Sequence, residues 1–303
     1  MTYDTAGDPI SGLKWTRKTT EKIACELKNI GIQVSQNTVA RLLKEMDFSL
    51  RVNHKKLASN SCPDRDEQFS YIAQQREIFS NSGDPIISVD TKKKELVGNF
   101  KNQGRTYCRK PIEVNDHDFR STAVGMAAPY GIYDVQRNHG SVFVGVSSDT
   151  PEFAVNNIEK WWRFSGCRRY PNSKNLLILA DGGGSNAARS RVWKLGIQKQ
   201  LCDRHNLTVT VCHYPTGASK WNPIEHRLFA EISKNWAGRP LDSYDTILNY
   251  IRTTTTSAGL TAKAYLVRKQ YQKGQRVSDQ DFKALALRRH DTQPIRNYSL
   301  SPR

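Results

Sequence analysis

The sequence lacks the features that mark a membrane-bound or disulfide-built protein. Its 303 residues contain no apolar run of about 18 residues, so no membrane-spanning helix is predicted. The first residues hold no basic cluster followed by an apolar core, so no secretory signal is visible. The six cysteines are scattered, as is usual in a reducing cytosol. We therefore expect a cytoplasmic protein with no membrane partner.

Acidic residues are scarce relative to basic ones. The chain has 46 Lys and Arg against 29 Asp and Glu, which gives a formal net charge of +17. Such an excess indicates a polyanionic partner, most simply a nucleic acid, with an anionic membrane surface as the alternative. The length allows one large domain, or one domain and a small module.

Two predicted helices near the amino end form a helix-turn-helix pattern over residues 14–57. Apolar residues recur at helical spacing from Thr19 to Ile30, Gly31 interrupts them, and Ser35 is placed to cap a second helix. A buried stripe is expected on that helix, formed by Val39, Leu42, Leu43 and Met46. Ten basic residues against four acidic ones between Lys14 and Lys56 favour DNA binding over an ordinary helical hairpin. The residues expected to contact DNA are Gln36, Asn37, Arg41 and Lys44.

The rest of the chain divides into three further segments. Residues 58–84 are predicted to form a linker and a helix from about Glu67 to Phe79. Residues 85–258 contain the strands and helices of the main domain. Residues 259–303 carry ten Lys or Arg and three Asp, and we expect this basic tail to share in DNA binding.

A short apolar segment from Pro85 to Val89 predicts a buried strand that ends in Asp90. Three lysines follow almost at once: Lys92, Lys93 and Lys94. This arrangement fits a plain ion-pair cluster, or a metal ligand beside a track of DNA phosphates. Residues 96–121 then show no clear period, and so long a loop usually indicates function or disorder.

A second buried strand, Leu176–Ala180, leads into Asp181 and three glycines. Asp181 thus lies at the carboxyl end of a strand, where α/β sheets place their ligands. Ser185 or Asn186 is placed to cap the following helix. An Asp before Gly is by itself most often a turn former, but two other carboxylates in similar positions favour a catalytic role.

The predicted elements follow one another in a recognisable order. Strands are expected at Tyr130–Tyr133, Val142–Val146 and Leu207–Cys212, and helices from Pro151, up to about Gln200 and through Leu228. The order β-β-β-α-β-α-β-α is that of an α/β protein with the ribonuclease H fold. In that fold the first and fourth strands are neighbours, and the last helix packs nearby.

Glu225 lies on that last helix, so three carboxylates distant in sequence are expected to converge. Like charges raise one another's pKa unless a cation neutralises them, and Mg²⁺ prefers carboxylate and phosphate oxygens. Two such ions support phosphodiester chemistry on DNA. A purely local interpretation is also open, because Asn222, Pro223 and Glu225 have the spacing of a helix-capping box.

Two other sites are disfavoured by position. The glycines from Gly182 match the loose dinucleotide pattern G-x-G-x-x-A, but Asp181 would place negative charge where a pyrophosphate should rest. Asp203 also precedes the next strand, whereas a ribose-binding acid should follow it. A zinc site from Cys202, His205, Cys212 and His213 is disfavoured because Cys212 falls within a predicted strand.

Three segments carry a resemblance to a known family: residues 88–102 (SVDTKKKELVGNFKN), 180–186 (ADGGGSN) and 219–229 (SKWNPIEHRLF). They resemble bacterial insertion-sequence DDE transposases of the ISAzo-thirteen family, which is related to the mariner group. The resemblance implies a ribonuclease H-like catalytic domain with Mg²⁺ or Mn²⁺, and a catalytic and metal-binding triad of Asp90, Asp181 and Glu225. It favours Glu225 over Glu231, which spacing alone does not.

The same resemblance implies partners and a place in the cell. It implies cutting and joining of double-stranded DNA, namely transposon ends and a target, by a homo-oligomer on the bacterial nucleoid. The 96–121 insertion is similar in position to the mariner clamp loop, which contacts a second subunit. Family members usually begin further upstream, so we expect the helix-turn-helix to be incomplete and end recognition impaired. A non-catalytic DNA-binding remnant that only occupies element ends is the alternative function.

Overall fold

The structure is a computed structural model. It describes residues 18–49, 64–218 and 221–303, and the backbone of residues 5–7 and 14–16. The chain forms two compact units, Met1–Ser59 and Asn60–Arg303. Among the described residues, no helix combines the length and the apolar character needed to cross a bilayer.

The first unit contains a short antiparallel strand pair and two helices. Strand β1 (Thr5–Gly7) pairs with β2 (Lys14–Thr16). Helices α1 (Thr20–Asn29) and α2 (Gln36–Glu45) follow, with Gly31 between them at φ 87°. Ser35 caps α2 as predicted, because its side chain accepts a hydrogen bond from the Thr38 amide.

The apolar stripe predicted on α2 is only partly buried. Val39 is buried and Leu43 is half-buried, but Leu42 and Met46 are exposed, Met46 to 65%. The prediction of a four-residue buried stripe was therefore wrong for Leu42 and Met46. The helical period places residues on one face, but burial also requires a partner element, and α1 covers only part of that face.

The second unit is built on one large sheet. It begins with helix α3 (Arg65–Ser82), which ends at Gly83 in the left-handed conformation. The strands are β3 (Ile86–Thr91), β4 (Glu95–Val97), β5 (Gly125–Asp134), β6 (His139–Gly145), β7 (Asn175–Ala180), β8 (Thr208–His213), β9 (Thr261–Val267), β10 (Leu287–Arg289) and β11 (Asn297–Leu300). The helices are α4 (Pro151–Trp161), α5 (Cys167–Arg169), α6 (Arg191–Ile197), α7 (Asp203–His205), α8 (Ala230–Asn235), α9 (Tyr244–Arg252) and α10 (Asp279–Lys283).

The strand order across the sheet is β10-β11-β8-β7-β3-β5-β6-β9, with β4 paired to β5. Its centre, β6-β5-β3-β7-β8, has the ribonuclease H arrangement: three antiparallel meander strands and two strands parallel to the first. The predicted fold class and element order are confirmed. Residues 259–303, treated above as a basic tail, belong to the sheet: β9 pairs with β6 at one edge, and β11 pairs with β8 at the other.

Helices cover both faces of this sheet. Alternating side chains of β3 and β7, such as Ile87 and Ile178, pack on one face against α4 and α6. On the other face, Ile86 and Leu177 pack against α3, whereas Val142 and Val144 pack against α8 and α9. The result is a three-layer α/β/α domain whose central strands, β3 and β7, are buried on both sides.

Candidate catalytic site

Asp90 lies near the carboxyl end of β3, in the middle of the sheet. One of its carboxylate oxygens accepts a hydrogen bond of 2.7 Å from the Thr91 amide. Across the ladder Asp90 is opposite Gly131 of β5. A Cβ atom at Gly131 would come 2.5 Å from the Phe229 ring and 2.8 Å from Ile224, so this glycine lets the segment that carries Glu225 approach the strand.

Asp181 follows β7 directly, beside Asp90 on the neighbouring parallel strand. The turn after Asp181 has Gly184 at φ 59°, and the nearby Gly183 amide favours the charged form of the Asp181 carboxyl group. Oδ1 of Asp181 is buried without a hydrogen-bond partner among the described residues. The helix after the turn begins only at Arg191 and is capped by Ser190. The prediction that Ser185 or Asn186 caps it was wrong.

Ser185 and Asn186 instead have buried positions beside the site. The Asn186 side-chain oxygen accepts a hydrogen bond of 2.9 Å from the Tyr130 hydroxyl. The Ser185 hydroxyl lies 3.3 Å from that of Thr91, next to Asp90. These contacts fix the glycine turn to the central strands, and so fix the position of Asp181.

The backbone of Asp181 is also anchored from the carboxyl-terminal strand. Burial lowers the pKa of His213 to about 4, so its ring is neutral near pH 7. Its Nδ1 lies 2.9 Å from the Asp181 carbonyl oxygen, and its Nε2 lies 3.2 Å from the Tyr298 hydroxyl. Trp193 Nε1 donates to the same hydroxyl at 2.9 Å. A chain of hydrogen bonds thus links β11 to the turn at Asp181.

Glu225 is the first residue of a π-helical turn, Glu225–Phe229, that leads into α8. This segment is attached to β3 by side-chain contacts. The Ser88 hydroxyl donates to the Asn222 side-chain oxygen and accepts a hydrogen bond of 3.0 Å from the Ile224 amide. Asn222 therefore bonds to the strand rather than completing the capping box that the sequence allowed. Because Ser88 and Asp90 share one face of β3, the contact places Glu225 beside Asp90.

The electrostatics confirm that the acidic groups interact. Burial first, and then the charges of Asp181 and Glu225, together raise the pKa of Asp90 to about 8. The pKa of Asp181 is also raised, first by burial and then by the charges of Glu225 and Asp149. Without a cation, this site therefore holds fewer negative charges at pH 7 than it has carboxyl groups.

A further carboxylate, Asp149, lies at the same site. It accepts a hydrogen bond of 3.2 Å from the Thr91 hydroxyl and lines one cleft with Asp90 and Asp181. Sequence reasoning missed it, because the loop before α4 gives no local signal beyond the Thr150 cap. Only the packing of α4 on β3 and β5 brings this loop to the catalytic edge.

The three predicted DNA-contacting lysines do not share one environment. All three line the cleft with Asp90 and Asp181, but only Lys93 and Lys94 are exposed. The Lys92 side chain is only 11% exposed, and its ammonium group lies 3.4 Å from Glu95 and 4.6 Å from the centre of the Trp236 ring. Burial lowers the pKa of Lys92. Lys92 thus packs into the wall of the cleft and is not part of an exposed lysine track.

The predicted contacts of the helix-turn-helix all lie on α2 of the first unit. Gln36, Asn37, Arg41 and Lys44 are exposed there. Arg41 is paired with Glu45 at 2.6 Å, one helical turn further on. These residues therefore present polar and basic groups on one short helix.

The acidic site has the donor set that suits a hard divalent cation. Carboxylate oxygens are the ligands that Mg²⁺ and Mn²⁺ prefer, and the buried Asp181 Oδ1 has no hydrogen-bond partner in the described chain. No three described His, Cys, Asp or Glu residues already surround one ion position. The site is therefore a group of neighbouring carboxylates with the donor atoms that such a cation takes, and not a closed cage.

The fold and the acidic edge define a ribonuclease H-like domain of the DDE type. A family model described as the Rhodopirellula transposase DDE domain matches residues 1–302. The chain belongs to this family. No curated protein sequence matches the chain.

Similar solved structures are those of the Mos1 transposase. The paired-end complex with the left transposon end is 15% identical, at a TM-score of 0.46, and the match covers 77% of this chain and 65% of that one. The Mos1 strand transfer complex is 16% identical, with a TM-score of 0.47 and 64% of its chain covered. The paired-end complex with Mg is 14% identical, with a TM-score of 0.47. The present chain thus spans slightly less than two-thirds of the length of these proteins.

Proposed function

We propose that this protein is a metal-dependent DNA transposase that cuts and joins the ends of an insertion sequence. The observation that carries the proposal is the convergence of Asp90, Asp181 and Glu225, which come from three separate elements, at one edge of the central sheet. Membership of a transposase DDE family supports the same reaction class. The net charge of +17 supports a DNA substrate.

Asp90, Asp181 and Glu225 would hold two Mg²⁺ or Mn²⁺ ions. Such a pair supplies activation of the attacking oxygen and stabilisation of the leaving oxygen at phosphorus. The protein contributes rigid positioning: Ser88 and Asn222 fix the Glu225 segment, and His213 fixes the backbone of Asp181. Lys93 and Lys94 are exposed beside the carboxylates and would bind the DNA backbone there.

The first unit would recognise element ends. Helix α2 presents Gln36, Asn37, Arg41 and Lys44 in the manner of a recognition helix, whose side chains reach base edges in the major groove. We expect Arg41 to exchange its Glu45 partner for DNA. Residues 1–4 and 8–13 lie outside the described residues.

The protein would act as a homo-oligomer on DNA, with the 96–121 insertion contacting a second subunit. The insertion carries apolar side chains that are exposed in the single chain, namely Tyr107, Ile112 and Phe119. Its base is fixed to the domain, since the Gln103 carbonyl accepts from the Gly238 amide at 2.7 Å and Asn102 donates to the Trp236 carbonyl. Exposed apolar groups on a rigidly held base suit a protein contact.

The test is metal-dependent nicking of duplex DNA that carries the inverted repeats flanking the gene. We expect cleavage at the repeat ends with Mg²⁺ or Mn²⁺, and none with EDTA. A protein that binds the repeats tightly but never cuts them, with either ion, would instead be the non-catalytic remnant that the sequence left open.

A further inference from the structure

An aromatic residue is exposed beside the catalytic edge and has no role in the proposed chemistry. Of the tryptophans whose burial the structure describes, Trp161, Trp162, Trp193 and Trp236 are buried, whereas Trp221 is 46% exposed. Trp221 is therefore accessible to a ligand bound at the proposed active site.

Trp221 is held in place by two residues of α3. The Arg65 guanidinium lies 5.1 Å from the Trp221 ring centre and 5.5 Å from that of Phe69. The two rings are 5.5 Å apart and inclined at 54°. We call Arg65, Phe69 and Trp221 the aromatic platform. It combines a preorganised π surface with one fixed positive charge.

The platform is connected to both ends of the acidic site. Trp221 immediately precedes Asn222, whose side chain bonds to β3 two residues before Asp90. On the other side, Phe69 packs on Tyr214 with ring centres 6.2 Å apart. The Tyr214 amide donates to the carbonyl of Ala180, the residue before Asp181, at 2.8 Å. Few residues therefore separate the platform from either Asp181 or Glu225.

The start of α3 is fixed at the same edge. Gln68 donates to the His213 carbonyl oxygen at 2.8 Å and also bonds to Asn297 of β11. Gln68 is buried and lies between Arg65 and Phe69 in the first turns of the helix. The platform is thus built on anchored secondary structure, which favours a specific binding role over a loose surface contact.

We propose that Arg65, Phe69 and Trp221 form a stacking site for an unpaired nucleobase next to the scissile phosphate. The site rests on the proposed function, because DNA is the ligand. Every base has a π face, so a ring binds it with little sequence preference, and a neighbouring arginine adds attraction for the base and its phosphate. Duplex DNA whose bases remain stacked would gain little from this site.

The probe is a duplex with three unpaired nucleotides on each strand at one end, hereafter the fork. A matched fork has abasic sites at the unpaired positions, so that it keeps the phosphates and loses only the bases. Binding is measured in EDTA, which excludes cleavage. We expect the natural protein to bind the fork about tenfold or more tightly than the abasic fork, from base stacking on the ring.

Trp221→Ala should remove most of this difference and leave affinity for the abasic fork unchanged. Trp221→Phe should keep a substantial part of it, which guards against a folding defect in the alanine variant. Phe164→Ala is the matched control, because Phe164 is 40% exposed and has the Arg163 guanidinium 4.9 Å from its ring centre. It packs on Tyr265 of β9, at the far edge of the sheet, and should leave the difference intact.

Equal binding of the two forks by the natural protein would overturn the platform proposal, as would a difference that survives in Trp221→Ala. The same binding data separate this proposal from the proposed function. A fork preference that depends on Trp221, in a protein that never cuts DNA, would uphold the platform and contradict the transposase. Cleavage of end DNA without such a preference would uphold the transposase and contradict the platform.

Discussion

Ser88 and Asn222 are 134 positions apart in the chain and share a buried hydrogen bond between their side chains. The same serine hydroxyl accepts a hydrogen bond from the Ile224 amide. One hydroxyl therefore attaches the segment that carries Glu225 to the strand that carries Asp90. The Ser88 hydroxyl is therefore one of the groups that set the separation of two proposed metal ligands. This makes the contribution of Ser88 to catalysis measurable.

We expect Ser88→Ala to slow cleavage about 10–100-fold, because a small displacement of Glu225 disturbs the reacting geometry. The loss in stability should be only about 1–3 kcal/mol, the cost of buried groups left without a partner. Single-turnover cleavage and thermal unfolding measure the two effects. Ser141→Ala is the control: Ser141 is also a buried serine of the sheet, but its hydroxyl has no hydrogen-bond partner among the described residues. If both variants cleave equally well, Ser88 does not position the site.

Gly131→Ala should also disturb the position of Glu225 relative to Asp90, in this case from strand β5. The added Cβ would lie 2.5 Å from the Phe229 ring, so the Glu225 segment must move away from Asp90. We expect a loss of roughly 1–3 kcal/mol in unfolding free energy from overpacking, together with slower cleavage. Adding Phe229→Leu to the Gly131→Ala protein should restore part of the stability and part of the cleavage rate, because the smaller side chain leaves space for the added Cβ. A single variant as active as the natural protein would show that the close approach is unnecessary.

The stability of the metal-free protein should fall as the pH rises. The folded-state pKa of Asp90 is raised from 3.8 to about 8, so folding favours its protonated form. That stabilisation is complete below the ordinary pKa and is lost as the pH rises towards about 8. Thermal unfolding in EDTA should show this decline, and Asp90→Asn should reduce its slope. Mg²⁺ should reverse the decline at high pH, and a natural protein whose slope matches that of Asp90→Asn would contradict the prediction.

DNA affinity should fall steeply with salt, by roughly 0.9 log units per log unit of salt for each phosphate contacted. Lys93→Ala and Lys94→Ala should each lower this slope by the amount that belongs to about one phosphate contact. Each should weaken binding to all sequences alike. Arg41→Ala should instead reduce the preference for element ends. Lys92→Ala is the informative comparison, because its packing on Trp236 predicts a loss of stability rather than a change in salt slope. A salt titration that is flat for the natural protein would contradict a DNA-binding role for the charge.

The sequence predicted the strands that carry the site because their signal is local. Leu176–Ala180 is an unbroken apolar run, and a strand buried on both faces requires little else. Strand β9 was missed because, at the sheet edge, Lys263 stays exposed between the buried residues Ala262 and Ala264. Strand β11 mixes polar and apolar residues and is a strand only because β8 and β10 pair with it.

The residues of the candidate site also differ in how far the sequence alone predicts them. The proximity of Asp90 and Asp181 could be predicted, since neighbouring parallel strands end at one edge of the sheet. The choice of Glu225 over Glu231 came from the family resemblance, and the catalytic role of all three residues stays a prediction. Gly131, Asp149 and His213 could not be predicted, because each acts through a contact with a residue far along the chain. Lys92 has the same sequence context as Lys93 and Lys94, and only its packing on Trp236 separates it from them.

The most direct test of the central claim compares Glu225→Gln with Glu231→Gln in single-turnover cleavage of end DNA with Mg²⁺. Glu231 is a matched control on the same helical segment, where it pairs with Lys234 at 2.7 Å. We predict that Glu225→Gln abolishes cleavage while DNA binding stays nearly intact, as do Asp90→Asn and Asp181→Asn, and that Glu231→Gln cleaves at close to the natural rate. Near-natural cleavage by Glu225→Gln would remove Glu225 from the site and contradict the account.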